Sequence, residues 1–452
     1  MIKRTMQQPS YKTTLERMLR GSPYQSYAYS YPHKMAYRPL DPPRELSEVW
    51  ANEDKDALFL YVHIPFCEMR CGFCNLFTMA KPKQPLADTY MTALRRQARQ
   101  VKRALGDASF ARLAIGGGTP TQLELDAFIE VFDIIEEEMG ADIKNIPVSC
   151  EMSPETVDAE KVRVMVERGV KRASIGVQSF LEQETRAVRR PQKREDVLRA
   201  LTTIREADFE VFNLDLIYGM PFQSEESWTQ SLEDAMSFEP EEVYLYPLYV
   251  RPLTGLGNSS KSWDDHRLDL YRQGREFLLE RGYEQASMRM FQKKDVNTTP
   301  GPIYHCQEDG MVGLGAGARS YSSKLHYSTD YAVGRRGVVS IIEDFVQRED
   351  AHFARADYGF EIDDAEDRRR WVILSTLSSE GLDPKRYVER FGQDVFEDFP
   401  QLHVLEELEL ATRSDEDDCL RLTQAGMERS DVIGPWFNSE RVNELIATFD
   451  LT

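Results

Sequence analysis

The sequence predicts an α/β protein built around a parallel β-sheet. Short apolar runs alternate with longer amphipathic segments from residue 58 to residue 282. Each run has the length and bounding residues of a strand, and each following segment has the apolar spacing of a helix. Successive βα units predict a parallel sheet, either an open, incomplete βα barrel or a doubly wound sheet. Periodicity alone leaves both arrangements open.

The elements of this core follow one another in a regular order. The predicted strands are residues 58–64, 112–116, 146–150, 172–177, 211–217 and 243–248. The predicted helices are residues 88–105, 125–139, 158–168, 193–207, 224–237 and 264–281. Asp88, Asp158 and Ser224 are residue types that cap helix N-termini, and we expect a helix to begin at each of them.

Three segments flank the core, which we assign to residues 51–282. Residues 1–50 are rich in tyrosine and proline and predict an irregular N-terminal extension that wraps the core. Residues 283–360 predict a mixed region with a glycine-rich stretch at 313–318. Residues 361–452 predict a small C-terminal domain with helices at 369–377, 384–391 and 396–408, then short strands at 410–412 and 419–422.

The C-terminal order of helices followed by a small β-wing is similar to a winged-helix module. Such a module could suggest a nucleic-acid-binding regulator. The loop that joins its two strands is acidic, however, with Asp415, Glu416, Asp417 and Asp418 in succession. Acidic side chains repel phosphates, so we favour a docking or lid module.

Composition excludes several classes of protein. The chain has 452 residues and a formal net charge of −20 at pH 7, which argues against a large nucleic-acid footprint. No apolar stretch approaches the roughly 20 residues of a membrane span. The first residues lack the apolar segment of a signal peptide. These features predict a cytoplasmic protein without nucleic-acid or membrane partners.

Three cysteines carry the strongest chemical signal. Cys67, Cys71 and Cys74 are spaced C-x3-C-x2-C directly after the first predicted strand. Three thiolates on one loop can ligate three irons of a [4Fe–4S] cluster and leave the fourth iron open. Structural zinc usually takes four ligands as two C-x2-C pairs, and no second pair exists in the sequence. Disulfides do not suit a chain predicted to lie in a reducing cytosol.

Polar residues and glycines stand at the ends of later strands. A run of glycines, residues 116–118, ends the second strand and is followed by Thr119. Glu151, Gln178 and Asp215 lie at or just after the ends of the next three strands. Side chains at the carboxyl ends of barrel strands usually face an active site. Each alone is also compatible with an ordinary polar strand end.

These segments resemble the radical S-adenosylmethionine (SAM) superfamily. Within it, they look like the oxygen-independent coproporphyrinogen III oxidase family. The similar motifs are residues 61–67 (YVHIPFC), 116–121 (GGGTPT), 175–180 (IGVQSF) and 215–221 (DLIYGMP). The resemblance implies a six-unit partial βα barrel, with the N-terminal extension and the small winged-helix-like domain outside it. It also implies a [4Fe–4S] cluster and SAM as cofactors.

The resemblance also implies roles for individual residues. Cys67, Cys71 and Cys74 would ligate the cluster, and Tyr61, Gly117 and Glu151 would hold the cluster-bound SAM. A second site, which takes a second SAM in some family members, would be lined by Phe73, Gly118, Thr119, Gln178, Arg190 and Asp215. The alternative for Arg190 is a surface ion pair, and the alternative for Phe73 is loop packing.

At two places the sequence departs from the family, and these differences bear on which function is expected. Leu76 stands where the oxidases carry a further cysteine, two residues after the third ligand. His305 and Cys306 stand near the place of the haem motif of the haem-chaperone branch, without matching that motif. The expected function is coproporphyrinogen III oxidase-like hydrogen abstraction by a 5′-deoxyadenosyl radical. The alternatives are a methyltransferase with a second SAM and a haem chaperone.

The expected enzymatic function also implies partners. We expect a small-molecule or modified-peptide substrate and an electron donor such as flavodoxin, which would reduce the cluster.

Overall fold

The computed structural model describes residues 10–450, except residues 29, 258–265, 295 and 297–303. The strands are β1 (Arg38–Glu45), β2 (Leu58–Ile64), β3 (Phe66–Cys67), β4 (Met79–Ala80), β5 (Phe110–Gly117), β6 (Val148–Met152), β7 (Arg172–Gln178), β8 (Val211–Tyr218), β9 (Glu242–Pro247), β10 (Tyr283–Gln285), β11 (Met290–Lys293), β12 (Met311–Leu314), β13 (Arg319–Tyr321), β14 (Leu325–Ser328), β15 (Arg355–Glu361), β16 (Ala411–Arg413) and β17 (Leu420–Leu422).

The helices are α1 (Tyr11–Leu19), α2 (Leu46–Val49), α3 (Gln84–Leu105), α4 (Leu125–Asp133), α5 (Ala159–Arg168), α6 (Glu182–Ala187), α7 (Arg194–Glu206), α8 (Glu225–Met236), α9 (Arg267–Glu280), α10 (Arg335–Gln347), α11 (Asp350–Phe353), α12 (Asp364–Thr376), α13 (Pro384–Phe391), α14 (Val395–Asp398), α15 (Gln401–Glu407), α16 (Gln424–Met427), α17 (Ser430–Trp436) and α18 (Glu440–Ala447).

One large sheet contains most of the strands. Within the described residues it has 13 strands, in the order β1-β15-β14-β13-β12-β2-β5-β6-β7-β8-β9-β11-β10. Strands β2, β5, β6, β7, β8 and β9 lie side by side in chain order, and each neighbouring pair is parallel. A doubly wound sheet reverses its strand order at a switch point, so this order excludes that arrangement. The predicted α/β fold with a parallel core is confirmed, and the curvature of a partial barrel stays a prediction.

The two faces of the parallel strands differ in chemistry. On β2, Leu60, Val62 and Ile64 alternate along one face and are fully buried. The same alternation places apolar residues of β5 to β9 on that face, where helices cover them. The opposite face carries Tyr61 and His63 of β2 and polar residues of later strands. This polar face is the surface on which the candidate site is built.

The sheet extends beyond the predicted core on the β2 side. Strand β12 pairs in parallel with β2, joining Gly313 to Tyr61 in register. Strands β13, β14, β15 and β1 continue the sheet as antiparallel neighbours. No strand was predicted at β1, because its three prolines, Pro39, Pro42 and Pro43, are unusual in strands. Proline is tolerated there because β1 is the edge strand of the sheet.

The first residues of the helices show where capping residues in the sequence were sufficient to predict a helix boundary. The caps at Asp158 and Ser224 are confirmed, since their side chains accept hydrogen bonds from the N–H groups of Lys161 and Ser227. The start at Asp88 was wrong, because α3 begins at Gln84 with Pro85 in its first turn, a position that suits proline. The predicted start at residue 264 lies outside the described residues.

Backbone contacts divide the chain into two compact units. The helical unit contains residues 10–33, 285–288 and 364–447, and the sheet unit contains residues 34–284, 289–363 and 448–450, within the described ranges. In the helical unit, Ser26 N–H donates to the carbonyl of Asp431 at 3.2 Å. Residues 10–33 of the predicted extension therefore pack against C-terminal residues in that unit. The division into four segments stays a prediction.

The helical unit contains the predicted β-wing. Strands β16 and β17 pair antiparallel, with Ala411 opposite Leu422. The predicted helix at 396–408 was wrong in one respect, because Phe399 and Pro400 separate α14 from α15. Proline lacks the N–H group that a continuous helix would need. Among the helices of the described residues, none is long and apolar enough to span a bilayer.

Candidate functional site

The cysteine loop leaves the polar face directly after β2. Strands β3 and β4 pair over two residues, which joins Phe66 to Met79 and Cys67 to Ala80 and closes the loop at its base. Further backbone hydrogen bonds hold the loop, including Gly72 N–H to the carbonyl of Val188 at 2.9 Å. The loop is thus fixed by main-chain contacts that are independent of its cysteine side chains.

Each of the three predicted ligands has a polar neighbour. Thr119 Oγ1 lies 3.6 Å from Cys67 Sγ, and Arg190 Nη1 donates to Cys71 Sγ at 3.2 Å. Thr78 Oγ1 lies 3.8 Å from Cys74 Sγ. Hydrogen bonds to ligating sulfurs, above all from a cation, stabilise the negative charge of a thiolate-bound cluster.

Burial raises the pKa of the Cys67 and Cys74 thiols, and the neighbouring thiols Cys74 and Cys71, respectively, raise them further. A buried thiol with a raised pKa becomes a thiolate when a metal binds it. In the described residues, no three His, Cys, Asp or Glu side chains converge on a point that would hold one metal ion. The ligands of a cubane cluster bind separate irons and need no such common point. The donor set therefore fits a [4Fe–4S] cluster.

The glycine run at the end of β5 lies against Glu151. Gly117 N–H donates to Glu151 Oε2 at 3.0 Å. A Cβ on Gly116 would lie 2.7 Å from the same oxygen, and a Cβ on Gly118 would lie 2.9 Å from Cys67 Sγ. The glycines thus let the carboxylate and the cysteine loop approach one strand end. Glu151 remains exposed, and surrounding protein atoms raise the pKa of its carboxyl by partial desolvation.

Tyr61 is held by His63, which was not among the predicted site residues. His63 Nε2 lies 3.0 Å from the carbonyl of Phe77, an acceptor only, so this nitrogen carries the proton. Nδ1 then accepts from the Tyr61 hydroxyl at 3.1 Å. Burial lowers the pKa of His63 to about 4, so the ring is neutral at pH 7. A buried histidine had no distinguishing signal in the sequence.

Asp215 lies on the polar face two strands away from Glu151. Asn213 Nδ2 donates to Asp215 Oδ1 and to Ser174 Oγ, each at 2.8 Å. Burial raises the pKa of Asp215 to about 7, partly offset by Asn213 and Arg172. Arg172 itself pairs with Glu242 at 2.6 Å. This partly buried ion pair also lay outside the predicted site, because only the register of β7, β8 and β9 brings the two residues together.

Gln178 and Arg190 both lie beside Gly176 near the end of β7. Gln178 has a φ of 71°, and its Nε2 lies where a Cβ on Gly176 would be only 2.6 Å away. Arg190 Nη2 donates to the carbonyl of Gly176 at 2.7 Å. Arg190 is only 9% exposed, so the surface ion pair considered for it was wrong. Its contact with Cys71 joins this strand end to the cysteine loop.

Phe73 packs against an apolar cluster that includes Val188, Met220 and Leu248. Loop packing, the alternative considered for this residue, is therefore present. The ring is only partly buried, so one part remains available to a ligand.

We expect Gly117→Ala to weaken SAM retention and to lower the melting temperature. Gly117 has a φ of 117°, and a Cβ there would lie 2.8 Å from the His63 ring. Gly140→Ala is a matched control, since Gly140 also has a positive φ of 69° but no atom within 4 Å of its Cβ position. Equilibrium dialysis with SAM and thermal unfolding would measure both effects. Equal losses in the two variants would contradict a steric role for the His63 contact.

Comparison with known proteins identifies the family. A model of the radical SAM superfamily matches residues 61–235, and a model of the HemN C-terminal domain matches residues 362–428. The heme chaperone HemW of Escherichia coli is 30% identical over 278 residues, which cover 58% of this chain and 69% of that protein. HemW of Bacillus subtilis is 26% identical over 348 residues, covering 76% of this chain and 89% of that protein.

Oxidases show a similar degree of identity over a shorter part. The oxygen-independent coproporphyrinogen III oxidase of Synechocystis is 29% identical over 250 residues, about half of either protein, at 54% of this chain and 53% of that one. Coproporphyrinogen III oxidase (HemN) of Escherichia coli has the same fold, with a TM-score of 0.77 and 22% identity over 96% of this chain and all of that one. This chain belongs to the radical SAM superfamily, within the HemN/HemW-like family that carries the HemN C-terminal domain.

Proposed function

We propose that this protein is a radical SAM enzyme that acts on an organic substrate in a coproporphyrinogen III oxidase-like reaction. The observation that carries the proposal is the meeting of three elements at one strand end. The loop with Cys67, Cys71 and Cys74 lies against the glycine run, and the glycine run binds Glu151. This arrangement supports binding of a cluster and of SAM side by side. Membership of the superfamily supports the same cofactors.

The cofactors would supply the reactive chemistry, and the residues of the chain would position them. When bound, the cluster supplies an electron that splits SAM into methionine and a 5′-deoxyadenosyl radical, which abstracts hydrogen from the substrate. Cys67, Cys71 and Cys74 would ligate the cluster, while Arg190 donates a hydrogen bond to the second sulfur. Tyr61, Gly117 and Glu151 would position the cluster-bound SAM. In this proposal the parallel strands form a six-unit partial barrel around the substrate, and the helical unit is a docking or lid module.

A methyltransferase that uses a second SAM is the second candidate. Leu76 replaces the further cysteine of the oxidases and is 49% exposed at the edge of the cysteine loop. Phe73, Gly118, Thr119, Gln178, Arg190 and Asp215 would line the second SAM site. Asp215 and Gln178 lie at neighbouring strand ends, within reach of Gly176. A carboxylate there suits the ammonium or ribose hydroxyl groups of a second SAM.

The similarity to HemW also supports a haem chaperone as a third outcome. The backbone N–H of His305 donates to the Asp309 carboxylate and Cys306 is exposed, and neither observation adds support for haem ligation by this pair. The expected electron donor, such as flavodoxin, and the cytoplasmic location stay predictions.

The products that the protein forms from SAM distinguish the three candidate functions. The cluster would be reconstituted anaerobically, and SAM and dithionite would be added. We expect 5′-deoxyadenosine, because the proposed enzyme cleaves SAM reductively. Formation of S-adenosylhomocysteine in addition would favour methyl transfer through a second SAM. With a fully loaded cluster, the absence of both products would contradict the enzyme proposal and favour the chaperone.

A further inference from the structure

Gln192 joins two of the predicted site residues, Gln178 and Arg190. It lies on the segment between α6 and α7, and only 6% of it is exposed. Its Nε2 donates to the carbonyls of Val177 and Ser179 at 2.8 and 2.9 Å, and its Oε1 accepts from Arg190 Nε at 3.2 Å. Carbonyls only accept hydrogen bonds and a guanidinium only donates them, so this orientation of the amide satisfies all three contacts.

Gln178 lies at the centre of a strained turn. Ser179 N–H donates to the carbonyl of Val177 at 2.9 Å, which closes a three-residue γ-turn around Gln178, whose φ is 71°. A γ-turn with a positive φ at its central residue is the rare, strained form. Strain of this kind persists only where surrounding contacts hold the backbone, and it is concentrated at functional sites. The turn at Gln178 therefore needs support from outside its own backbone.

Gln192 supplies such support. The two carbonyls that it binds belong to the residues on either side of Gln178, so one side-chain amide spans the turn. The hydroxyl of Ser179 donates to the buried carboxylate of Glu184 at 2.7 Å, which holds the turn from another side. Because this second contact remains when the Gln192 amide is removed, we expect a variant at position 192 to fold.

The same amide fixes the guanidinium of Arg190. Each nitrogen of this group has a different partner, since Nε donates to Gln192, Nη1 to Cys71 Sγ at 3.2 Å and Nη2 to the carbonyl of Gly176 at 2.7 Å. The guanidinium is planar and its donors have fixed directions, so the contact at Nε also orients Nη1. Gln192 therefore helps to aim the cation at the sulfur of a predicted cluster ligand.

We propose that Gln192 is a positioning residue that holds the turn at Gln178 and directs Arg190 toward the cluster. It acts through these two residues and is not a ligand of the cluster. The inference rests on the proposed function, because Gln178 and Arg190 belong to the site proposed for the cofactors. If Gln192 only filled space, an apolar side chain of similar volume would replace it without consequence for the cluster.

The test uses the cluster-loaded protein and a double-mutant cycle. The variants are Gln192→Met, which keeps a similar volume but lacks the amide, Arg190→Met, and the two combined. Gln183→Met, which changes an exposed glutamine of α6, is the control. A redox titration gives the reduction potential of the cluster, and competition with a chelator gives the iron affinity. Hydrogen–deuterium exchange of the peptide that covers residues 176–181 reports on the turn. Iron content and melting temperature verify each variant.

We expect Gln192→Met to lower the reduction potential, in the same direction as Arg190→Met, because a less firmly oriented cation stabilises the added electron less. In the Arg190→Met background, Gln192→Met should cause no further shift, because Gln192 acts on the potential through Arg190. Iron affinity should fall by about tenfold, the lower end of the range for a partner that supports a metal ligand. Exchange at residues 176–181 should be faster, and the control should match the wild-type protein throughout.

Three results would overturn the inference. An additive shift of the potential in the double variant would show that Gln192 does not act through Arg190. A wild-type potential in folded Gln192→Met would leave Gln192 with a space-filling role, and unchanged exchange at residues 176–181 would exclude support of the turn. If Gln192→Met fails to fold, Gln192→Glu takes its place, since it keeps the volume but loses both donors to the turn. Formation of 5′-deoxyadenosine by the wild-type protein tests the proposed function separately, because the potential and the exchange require no turnover.

Discussion

Replacing Cys71 by alanine is expected to remove the iron–sulfur cluster and to reduce SAM cleavage to the background of cluster-free protein. Cys71 is a buried thiol on the loop between β3 and β4, and its sulfur accepts a hydrogen bond from Arg190 at 3.2 Å. A cluster with two remaining protein ligands lacks the third anchor that leaves only one iron open. The same result is expected for Cys67 and Cys74. Iron and sulfide content, together with 5′-deoxyadenosine formation, would measure it.

Cys306→Ala is the matched control for this experiment. Cys306 is an exposed thiol outside the loop, so its loss should leave the iron content and SAM cleavage unchanged. Backbone hydrogen bonds hold the loop without the cysteine side chains, so Cys71→Ala should also fold. Full SAM cleavage by a folded Cys71→Ala protein would exclude the proposed chemistry.

Arg190→Met tests whether Arg190 influences the reduction potential of the cluster without being one of its ligands. This substitution removes the N–H donors to Cys71 and Gly176 but leaves all three thiols in place. Loss of a partner that donates to a metal ligand typically costs 10- to 100-fold in metal affinity or activity. We therefore expect Arg190→Met to bind the cluster more weakly and to shift its reduction potential, which a redox titration would show. An unchanged potential would contradict a direct role for the Arg190 contact.

The parts of the site that are local in sequence could be predicted, and the parts that depend on register could not. The cysteine spacing and the glycine run are continuous motifs, so Cys71 and Gly117 could be assigned to the candidate site from the sequence. Glu151 and Asp215 could be assigned to the candidate site because apolar strands mark their own carboxyl ends. His63 has no motif of its own, and its role depends on the carbonyl of Phe77, which the loop brings back to β2.

Prediction of the sheet was likewise limited to strands with a clear local sequence pattern. Strands buried on the helix-covered face have continuous apolar signals, and all six of these core strands among the described residues were predicted. Strand β1 was missed because its prolines break the apolar pattern of an edge strand, and strand β13 was missed because it has only three residues. Arg172 and Glu242 are 70 positions apart in the chain, and only the fold brings them together. Such pairs leave no local pattern.

Replacing Asp215 by asparagine is expected to stabilise the cofactor-free protein at pH 8 and to impair the second site. Burial raises the pKa of Asp215 from 3.8 to about 7. Between these values the folded protein holds a proton that the unfolded chain has released. The free energy of unfolding therefore falls as pH rises through this window, and the loss is complete above pH 7. The shift corresponds to at most about 4 kcal/mol.

Asparagine keeps an acceptor for Asn213 and removes the buried charge. The variant should therefore be more stable than the wild-type protein at pH 8, and this advantage should shrink as the pH falls and level off below about 4, where Asp215 becomes protonated in the folded and the unfolded protein alike. Urea unfolding at several pH values would measure the difference. Asp107→Asn, which changes an exposed aspartate of the same unit, should leave the stability curve unchanged. A variant less stable at pH 8 would show that the Asp215 charge is compensated in the folded state.

A carboxylate that costs stability needs a functional reason. If Asp215 binds a second SAM, the ligand supplies the partner that the folded chain lacks, and binding should lower the pKa of Asp215 and restore stability at pH 8. SAM should then raise the melting temperature of the wild-type protein more than that of Asp215→Asn, while both retain the full cluster. Equal shifts in the two proteins would place SAM at the cluster only and would remove the argument for methyl transfer through a second site.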